Sequence, residues 1–338
     1  MTPKNATRSP MTARSEQMKT WLDSLGYRDY NLTPASEDAS FRSYHRLQLD
    51  GQSFIVMDAP PEQEPCHQFI KVAETLRAGQ LSAPEIIEQN QQEGFLLLTD
   101  FGGTDYLSAL DDNTEAGLYA DALAALLQMQ ARINSDDLPP YDEALLSREM
   151  DLFHDWFLQQ LLGIDLSQSQ TNRWLSIKQA LVTNALEQPQ VFVHRDYHSR
   201  NLMKIEGQNP GILDFQDAVQ GPITYDLVSL LRDCYINWPV MRVEQLLHDY
   251  YDLALVNQLT DVDYEQFRRW FNLMGIQRHL KAIGIFSRLN IRDGKPGYLK
   301  DIPRTLAYII QASADEKSMA ELYALINELG LIDRVKSL

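Results

Sequence analysis

The 338-residue sequence lacks several features that define common protein classes. Its two cysteines, Cys66 and Cys234, are too few for a disulfide framework and favour a reducing compartment. No apolar run approaches the roughly 18 residues of a membrane-spanning helix. Residues 1–17 are polar, without the apolar core of a signal peptide, and we predict a flexible tail there. These absences predict a cytoplasmic protein that does not associate with membranes.

Positive charge is also scarce. The chain has 30 Lys and Arg against 47 Asp and Glu, a net charge of −17. Such a chain repels nucleic acid unless its basic residues are segregated. Residues 278–304 are the one basic stretch, with seven Lys or Arg and two acids. We therefore predict that the chain does not bind nucleic acid, and no feature indicates an obligate protein partner.

The pattern of predicted secondary structure changes after Gly103. The preceding part consists mostly of short strand-like runs, whereas long amphipathic helical patterns dominate the rest. We predict an α+β chain with a small β-rich N-lobe over residues 18–98, a hinge at 99–103 and a larger, mainly helical C-lobe over 104–338. This order of lobes is typical of bilobal, protein-kinase-like folds.

Polar side chains follow two short apolar runs in the C-lobe. "VFVHRDYHSRNLM" places Asp196 and Asn201 directly after an apolar run, and "GILDFQD" places Asp214 at the end of the next one. Both runs have strand character, and a turn around Gly207 joins them. We therefore expect Asp196, Asn201 and Asp214 at one edge of a hairpin.

These three residue types suit phosphoryl transfer. Its loose, anionic transition state is stabilised mainly by positioning and by charge. Asp196 fits the carboxylate that orients the acceptor hydroxyl, and Asn201 and Asp214 fit the oxygen ligands of Mg²⁺. Asp-x4-Asn, followed by an apolar strand ending in Asp-Phe, is the spacing of the kinase signature. This pattern predicts ATP and Mg²⁺ as the cofactors. The other interpretation, in which both aspartates are turn residues, would require the joint spacing to arise by chance.

A second Asp-Phe pair, in "GFLLLTDFGG", competes for the metal role. In kinases the metal aspartate follows the catalytic loop, whereas Asp100 precedes it in the chain. We predict instead that this stretch is the last strand of the N-lobe and the start of the hinge. The backbone of residues 98–101, including Asp100 and Phe101, would then contact adenine.

The usual phosphate-binding residues of a kinase are missing. The third strand reads "SFIVMDAP" without a lysine, and the loop "ASEDASFRSYH" has no Gly-x-Gly-x-x-Gly. Ser40 is small enough for backbone amides to approach phosphate, and Arg42 is the nearest cation. We predict both as nucleotide-binding residues, with a surface arginine as the other interpretation of Arg42. In kinases the phosphate-binding cation pairs with a helical glutamate, and Glu64 and Glu74 are the candidates for that partner.

The motifs resemble those of the aminoglycoside phosphotransferase and choline kinase superfamily more than those of protein kinases. His198 stands two residues after Asp196, and Asp214-Phe215-Gln216 lacks the third-position glycine. The following "AVQGPITYDLVSLLRD" is similar to the superfamily's Gly-x-Pro and Tyr-Asp-Leu segment. Longer stretches, among them "ASFRSYHRL", "FIVMDAPPEQEP" and "SREMDLFHDWF", resemble the bacterial anomeric kinases for N-acetylmuramate and N-acetylglucosamine.

This resemblance implies phosphorylation of the C1 hydroxyl of these amino sugars, in the recycling of peptidoglycan. N-acetylmuramate carries a lactyl carboxylate, so we expect cations in the acceptor pocket. In the basic stretch, three polar residues recur at i, i+4 and i+11 on one helical face. The predicted acceptor residues are Gln277, Lys281 and Arg288 of that face, with Glu149, Arg200 and Arg278. The other interpretation of each is an ordinary solvated or structural residue.

Two other functions stay open from the sequence. One is a kinase for a different small hydroxyl compound, such as an aminoglycoside, choline or homoserine. The cationic stretch argues against the first two, because their sites have to hold a cation. The other is a nucleotide-binding regulator without turnover, suggested by the missing lysine and opposed by the complete set of Asp196, Asn201 and Asp214.

Overall fold

The computed structural model describes residues 10–36, 41–336 and 338. The chain divides into two compact units. The first contains the described residues up to Arg77 together with Ala83–Gly102, and the second contains Ala78–Ser82 and Gly103–Leu338. The short stretch Ala78–Ser82, which we placed in the N-lobe, thus belongs to the second unit.

The first unit is built on one antiparallel sheet of five strands, in the order β1-β2-β3-β5-β4. Its elements are helices α1 (Pro10–Ser24) and α2 (His67–Ala78) and strands β1 (Asn31–Ser36), β2 (Ser43–Leu49), β3 (Gln52–Asp58), β4 (Ile86–Asn90) and β5 (Phe95–Thr99). Strands β2 and β3 meet at Asp50 and Gly51, whose φ angles of 49° and 80° suit a tight hairpin turn. This is the hairpin that the Asp-Gly pair signals in the sequence.

Helix α1 begins earlier than the sequence suggests. We predicted a flexible tail up to residue 17, whereas residues 10–17 are already helical. The helix packs the buried Met18, Trp21 and Leu22 against the sheet. Arg14 extends this contact, because its guanidinium pairs with Asp58 and lies 4.7 Å from the ring centre of Phe95. Residues 1–9 lie outside the described part of the chain.

The second unit is mainly helical. Its helices are α3 (Tyr106–Ala109), α4 (Glu115–Arg132), α5 (Glu143–Leu152), α6 (Gln168–Glu187), α7 (Thr224–Leu231), α8 (Val240–Val256), α9 (Tyr264–Asp293), α10 (Ile302–Asp315), α11 (Ala320–Glu328) and α12 (Leu331–Val335). Its strands are β6 (Gln190–Val193), β7 (Leu202–Met203), β8 (Gly211–Ile212) and β9 (Val219–Pro222). They form two antiparallel pairs, β6 with β9 and β7 with β8.

The long helix α9 is the centre of the second unit. Most of its side chains between Phe267 and Leu289 are buried. At Gly284 it approaches the end of α5 so closely that a Cβ atom would lie 2.4 Å from the carbonyl carbon of Leu152. After the end of α5 the chain continues as a π-helix, Phe153–Leu161. Because α9 is anchored in this way, its buried polar residues have fixed positions.

None of the helices within the described ranges has both the length and the apolar character that a membrane span requires.

Candidate active site

The loop of residues 194–201, between β6 and β7, is held by a buried carboxylate. Asp226, in the first turn of α7, accepts the backbone N–H groups of His194 at 2.6 Å and Arg195 at 3.0 Å. Arg195 has a φ angle of 78°, a left-handed conformation that costs free energy in a non-glycine residue. Asp226 therefore stabilises a strained loop, in the structural role that its position at a helix start suggests.

His194 fixes the position of the following aspartate. Its ring is buried, with Nε2 donating to the Leu213 carbonyl at 2.9 Å and Nδ1 accepting the Asp196 N–H at 3.2 Å. Burial lowers the pKa of His194 to about 4, so the ring is neutral near pH 7. His194 thus links the loop to the strand that leads to Asp214.

A second carboxylate, Asp233, holds the far end of the loop. Its Oδ2 accepts from the Ser199 N–H at 3.0 Å and from the Ser199 hydroxyl at 2.5 Å, and its Oδ1 accepts from the Tyr235 N–H at 2.9 Å. Sequence reasoning missed Asp233. The available signal is its place seven residues after Asp226, just beyond the end of the same buried helix.

The structure brings Asp196, Asn201 and Asp214 together. The Asn201 amide Nδ2 donates to the Asp196 carbonyl at 2.9 Å and lies 3.3 Å from Oδ2 of Asp214. Asp214 has a φ angle of 63° and accepts from Nε2 of Gln216 at 2.8 Å through its other carboxylate oxygen. The three residues therefore share one small region, as the spacing predicted, and Gln216 is a neighbour that sequence reasoning did not assign.

These residues fit a magnesium ion. Nδ2 of Asn201 acts as a donor to the Asp196 carbonyl and the Asp214 carboxylate, so the amide oxygen is the Asn201 atom that would bind a cation. Mg²⁺ is usually held by one or two such protein oxygens, with water and phosphate oxygens completing the octahedron.

Positively charged side chains act on the Asp196 carboxylate. Burial raises its pKa, but the charges of Lys281, His198 and Arg195 outweigh this and lower the pKa to about 2. Asp196 is therefore ionised at any pH near neutrality. It is a weak base, suited to orienting a donor group and stabilising positive charge.

Glu149 connects the loop to α9. It is buried, accepts hydrogen bonds from the Tyr141 hydroxyl and the Arg195 guanidinium, and lies 3.3 Å from Nζ of Lys281. Burial raises the pKa of the Glu149 carboxyl, and the charges of Lys281 and Arg195 lower it by more. Lys281 also donates to the Tyr225 hydroxyl at 3.0 Å. Glu149 and Lys281, both predicted acceptor residues, thus lie beside the 194–201 loop.

The remaining predicted acceptor residues are Gln277, Arg278, Arg200 and Arg288. Gln277 is buried on α9 with Nε2 3.5 Å from the Glu149 carboxylate, and Arg278 beside it is buried too. Arg200 is exposed, with its guanidinium 4.8 Å from the ring centre of Tyr235 and 5.9 Å from that of Tyr298. The Nε atom of Arg288 is buried and has no hydrogen-bond partner among the described residues.

The predicted nucleotide residues lie in the first unit, except Ser40, which is outside the described residues. Arg42 is buried and pairs with Glu64 at 2.6 Å. The Asp100 carboxylate is bound by Arg46 at 2.6 Å, by the Ser53 hydroxyl at 2.5 Å and by the Gly102 N–H at 2.8 Å. Those contacts give the Asp100 side chain a structural role at the end of β5.

The backbone at the end of β5 narrows the adenine prediction. Leu98 is paired with Ile55 of β3 and Ile86 of β4, and the Thr99 N–H donates to the Glu85 carbonyl at 3.0 Å. The backbone groups of Leu98 and Thr99 are thus used within the sheet. The predicted contact with adenine is therefore limited to the backbone of Asp100 and Phe101, beyond the end of the strand.

Comparison with known proteins shows the family of the chain. A model described as "Phosphotransferase enzyme family" matches residues 31–268. The chain belongs to this phosphotransferase family. Two curated relatives, from Pseudomonas putida and Pseudomonas aeruginosa, are both named N-acetylmuramate/N-acetylglucosamine kinase. The first is 45% identical over 94% of this chain and 96% of the relative, and the second is 46% identical over 94% and 97%.

Solved structures of other phosphotransferases share the fold. A choline kinase from Streptococcus pneumoniae matches with a TM-score of 0.64 at 11% identity, covering 88% of this chain and 99% of the other. An ADP-bound aminoglycoside phosphotransferase matches with a TM-score of 0.59 at 15% identity, covering 91% and 98%. The predicted kinase-like fold, with a β-rich N-lobe and a helical C-lobe, is thereby confirmed.

Proposed function

We propose that this phosphotransferase uses ATP to phosphorylate the anomeric C1 hydroxyl of N-acetylmuramate and N-acetylglucosamine. The sugar 1-phosphate would serve the recycling of peptidoglycan, and the reaction would take place in the cytoplasm. The observation that carries the proposal is the identity of 45% and 46% to kinases named for these sugars, over 94% of the chain. The positions of the residues in the 194–201 loop account for the proposed phosphoryl transfer.

Asp196 orients the acceptor hydroxyl. With a pKa of about 2, its carboxylate holds a proton poorly and suits an acceptor that gives up its proton easily. An anomeric hydroxyl is part of a hemiacetal and is more acidic than an ordinary alcohol. A weakly basic Asp196 is therefore compatible with an anomeric acceptor.

Asn201 and Asp214 are the residues that would hold Mg²⁺. A bound Mg²⁺ would neutralise charge on the phosphate oxygens of ATP. The protein fixes its ligands through two contacts: the Asp196 carbonyl binds the Asn201 amide, and Gln216 binds Asp214. Both ligands are therefore oriented before the metal arrives.

In the first unit, Arg42 replaces the absent strand lysine as the cation for the ATP phosphates. Its ion pair with Glu64 orients the guanidinium, as a carboxylate orients the lysine in other kinases. The backbone of Asp100 and Phe101 contacts adenine, and Ser40 contributes to the phosphate loop.

The residues around Asp196 disfavour the other functions. A site for choline or an aminoglycoside has to hold a cation, yet Lys281, Arg195 and Arg278 all act on Asp196 as positive charges. A regulator without turnover has no need of the positioned Asp196, Asn201 and Asp214.

An assay of ADP release with ATP and Mg²⁺ tests the proposal. The acceptor panel contains both amino sugars, glucose, choline, homoserine and an aminoglycoside. We expect turnover with the two N-acetyl amino sugars and little with the rest. Turnover confined to choline, homoserine or the aminoglycoside would refute the sugar-kinase proposal, and ATP binding without turnover on any acceptor would indicate the regulator.

A further inference from the structure

Arg278 is a buried cation with a poor partner. It lies in the middle of α9 and is 5% exposed. Within the described residues, its one hydrogen-bond contact is with the Cys234 thiol at 3.7 Å, and its Nε atom has no partner. A thiol is a weak acceptor, so the guanidinium has no strong hydrogen-bond partner, although the charges of Asp196 and Asp233 act on it. Its unused N–H groups could therefore bind an anionic group of a ligand.

Neighbouring cations do not share this property. Lys281, one turn further along α9, contacts Glu149 and the Tyr225 hydroxyl. Arg195 binds the same Glu149 carboxylate. Both cations therefore have an anionic partner within the protein, whereas Arg278 has none among its hydrogen-bond contacts in the described chain.

A second buried atom lacks a partner in the same region. Nδ1 of His198 is buried and makes no hydrogen bond to the residues that the structure describes. The His198 ring packs edge-on against Tyr235 at 5.5 Å, and the guanidinium of Arg200 lies over the same tyrosine at 4.8 Å. When it carries a proton, Nδ1 of an imidazole ring can donate a hydrogen bond to an anion.

This region adjoins the reacting centre. His198 stands two residues after Asp196, and Cys234, which contacts Arg278, lies between Asp233 and Tyr235, the residues that contact Ser199 and His198 of the 194–201 loop. An anion held by Arg278 and His198 would thus belong to a molecule whose hydroxyl is oriented by Asp196. It would be part of the acceptor substrate itself.

We propose that Arg278, together with Nδ1 of His198, binds the lactyl carboxylate of N-acetylmuramate and favours this sugar over N-acetylglucosamine. This inference rests on the proposed function. The two sugars differ in the lactyl ether at C3, which alone carries a carboxylate. A charge-assisted contact with a buried guanidinium discriminates strongly between an acceptor with that group and one without it.

The first test compares kcat/KM for the two sugars in the wild type and in Arg278→Met. We expect the ratio of N-acetylmuramate to N-acetylglucosamine to fall roughly 10- to 100-fold, the value of one or two charged hydrogen bonds. KM for N-acetylmuramate should change more than kcat, and Arg278→Lys should restore part of the ratio. Arg292→Met, at the exposed end of α9, is the control and should leave the ratio unchanged.

An equal loss with both sugars would overturn the inference while leaving the proposed function intact. Failure of the wild type to phosphorylate either sugar would instead refute the proposed function. The two failures are therefore distinguishable.

A second test does not depend on the folding of a variant. The wild-type protein is assayed with N-acetylmuramate and with its methyl ester, which lacks the negative charge. We expect kcat/KM for the ester to fall toward the value for N-acetylglucosamine. Equal use of the acid and the ester would contradict a role for Arg278 in binding the carboxylate.

Discussion

At the scale of single residues, the proximity of Asp196, Asn201 and Asp214 could be predicted from the sequence, because phosphoryl transfer demands these residue types at a fixed spacing. Their roles in the reaction stay predictions. The contacts of Asp233 and Arg14 could not be predicted in this way, because each joins distant parts of the chain, Ser199 for Asp233 and Asp58 for Arg14. Asp233 offered only its place just beyond the end of α7, and Arg14 offered no local pattern.

Replacement of Asp196 by Asn tests its assigned role. The amide keeps the size of the side chain but removes the negative charge that orients the acceptor hydroxyl. We expect kcat to fall by about 10³-fold or more, while the Kd for ATP measured by calorimetry changes little. The exposed Asp112→Asn is the matched control. A variant that keeps a near wild-type rate would show that the role is wrongly assigned.

Burial of His194 predicts a dependence of stability on pH. Burial lowers its pKa in the folded state to about 4 from the ordinary value of 6.5, so the unfolded chain binds the proton more tightly. This residue therefore favours unfolding increasingly as the pH falls from about 6.5 to 4, by about 3 kcal/mol in total. His194→Gln should show a shallower loss of unfolding free energy over that interval.

Urea unfolding at several pH values measures this difference. The comparison cancels groups common to both proteins, including Asp226, whose pKa burial raises to about 7. Parallel curves for the wild type and His194→Gln would contradict the assignment of a neutral, buried His194.

At the scale of elements, features with a local sequence pattern could be predicted, whereas features that depend on long-range contacts could not. The β2–β3 hairpin follows from Asp50-Gly51, because few other pairs adopt that turn. The π-helix after α5 has no such signal. It begins where α9 presses against the backbone at Leu152, a contact that depends on the absence of a side chain at Gly284.

Gly284→Ala tests this contact. The new Cβ would lie 2.4 Å from the Leu152 backbone, and backbone atoms move away only at a cost of about 1–3 kcal/mol. We expect a lower Tm. Gly117→Ala is the matched control within α4, because its Cβ would meet nothing within 4 Å, and alanine there should leave Tm unchanged or raise it. Equal Tm values for both variants would show that the close approach does not matter.

The ion pair between Arg42 and Glu64 predicts an effect on nucleotide binding. Glu64→Gln removes the charge that orients the Arg42 guanidinium, and we expect KM for ATP to rise about tenfold. Glu74→Gln is the control, because Glu74 is exposed on α2. A lower Tm for Glu64→Gln with an unchanged KM for ATP would assign the pair to stability alone.

At the scale of the whole molecule, the sequence predicted the class of fold and the order of its two parts. The strand-rich start and the helical remainder were sufficient, because period-2 and period-3.6 patterns are local. The membership of Ala78–Ser82 in the second unit was not predictable. It depends on contacts such as Ile212 N–H with the Ser82 carbonyl at 2.7 Å, between segments far apart in the chain.

Phosphorylation at C1 is the central claim, and NMR of the product tests it most directly. The protein is incubated with ATP, Mg²⁺ and N-acetylmuramate or N-acetylglucosamine, and the coupling of the new phosphorus to the sugar protons is recorded. We predict coupling to the anomeric proton, with no product from Asp196→Asn. Coupling to any other ring position, or no phosphorylated sugar from the wild type, would contradict the account.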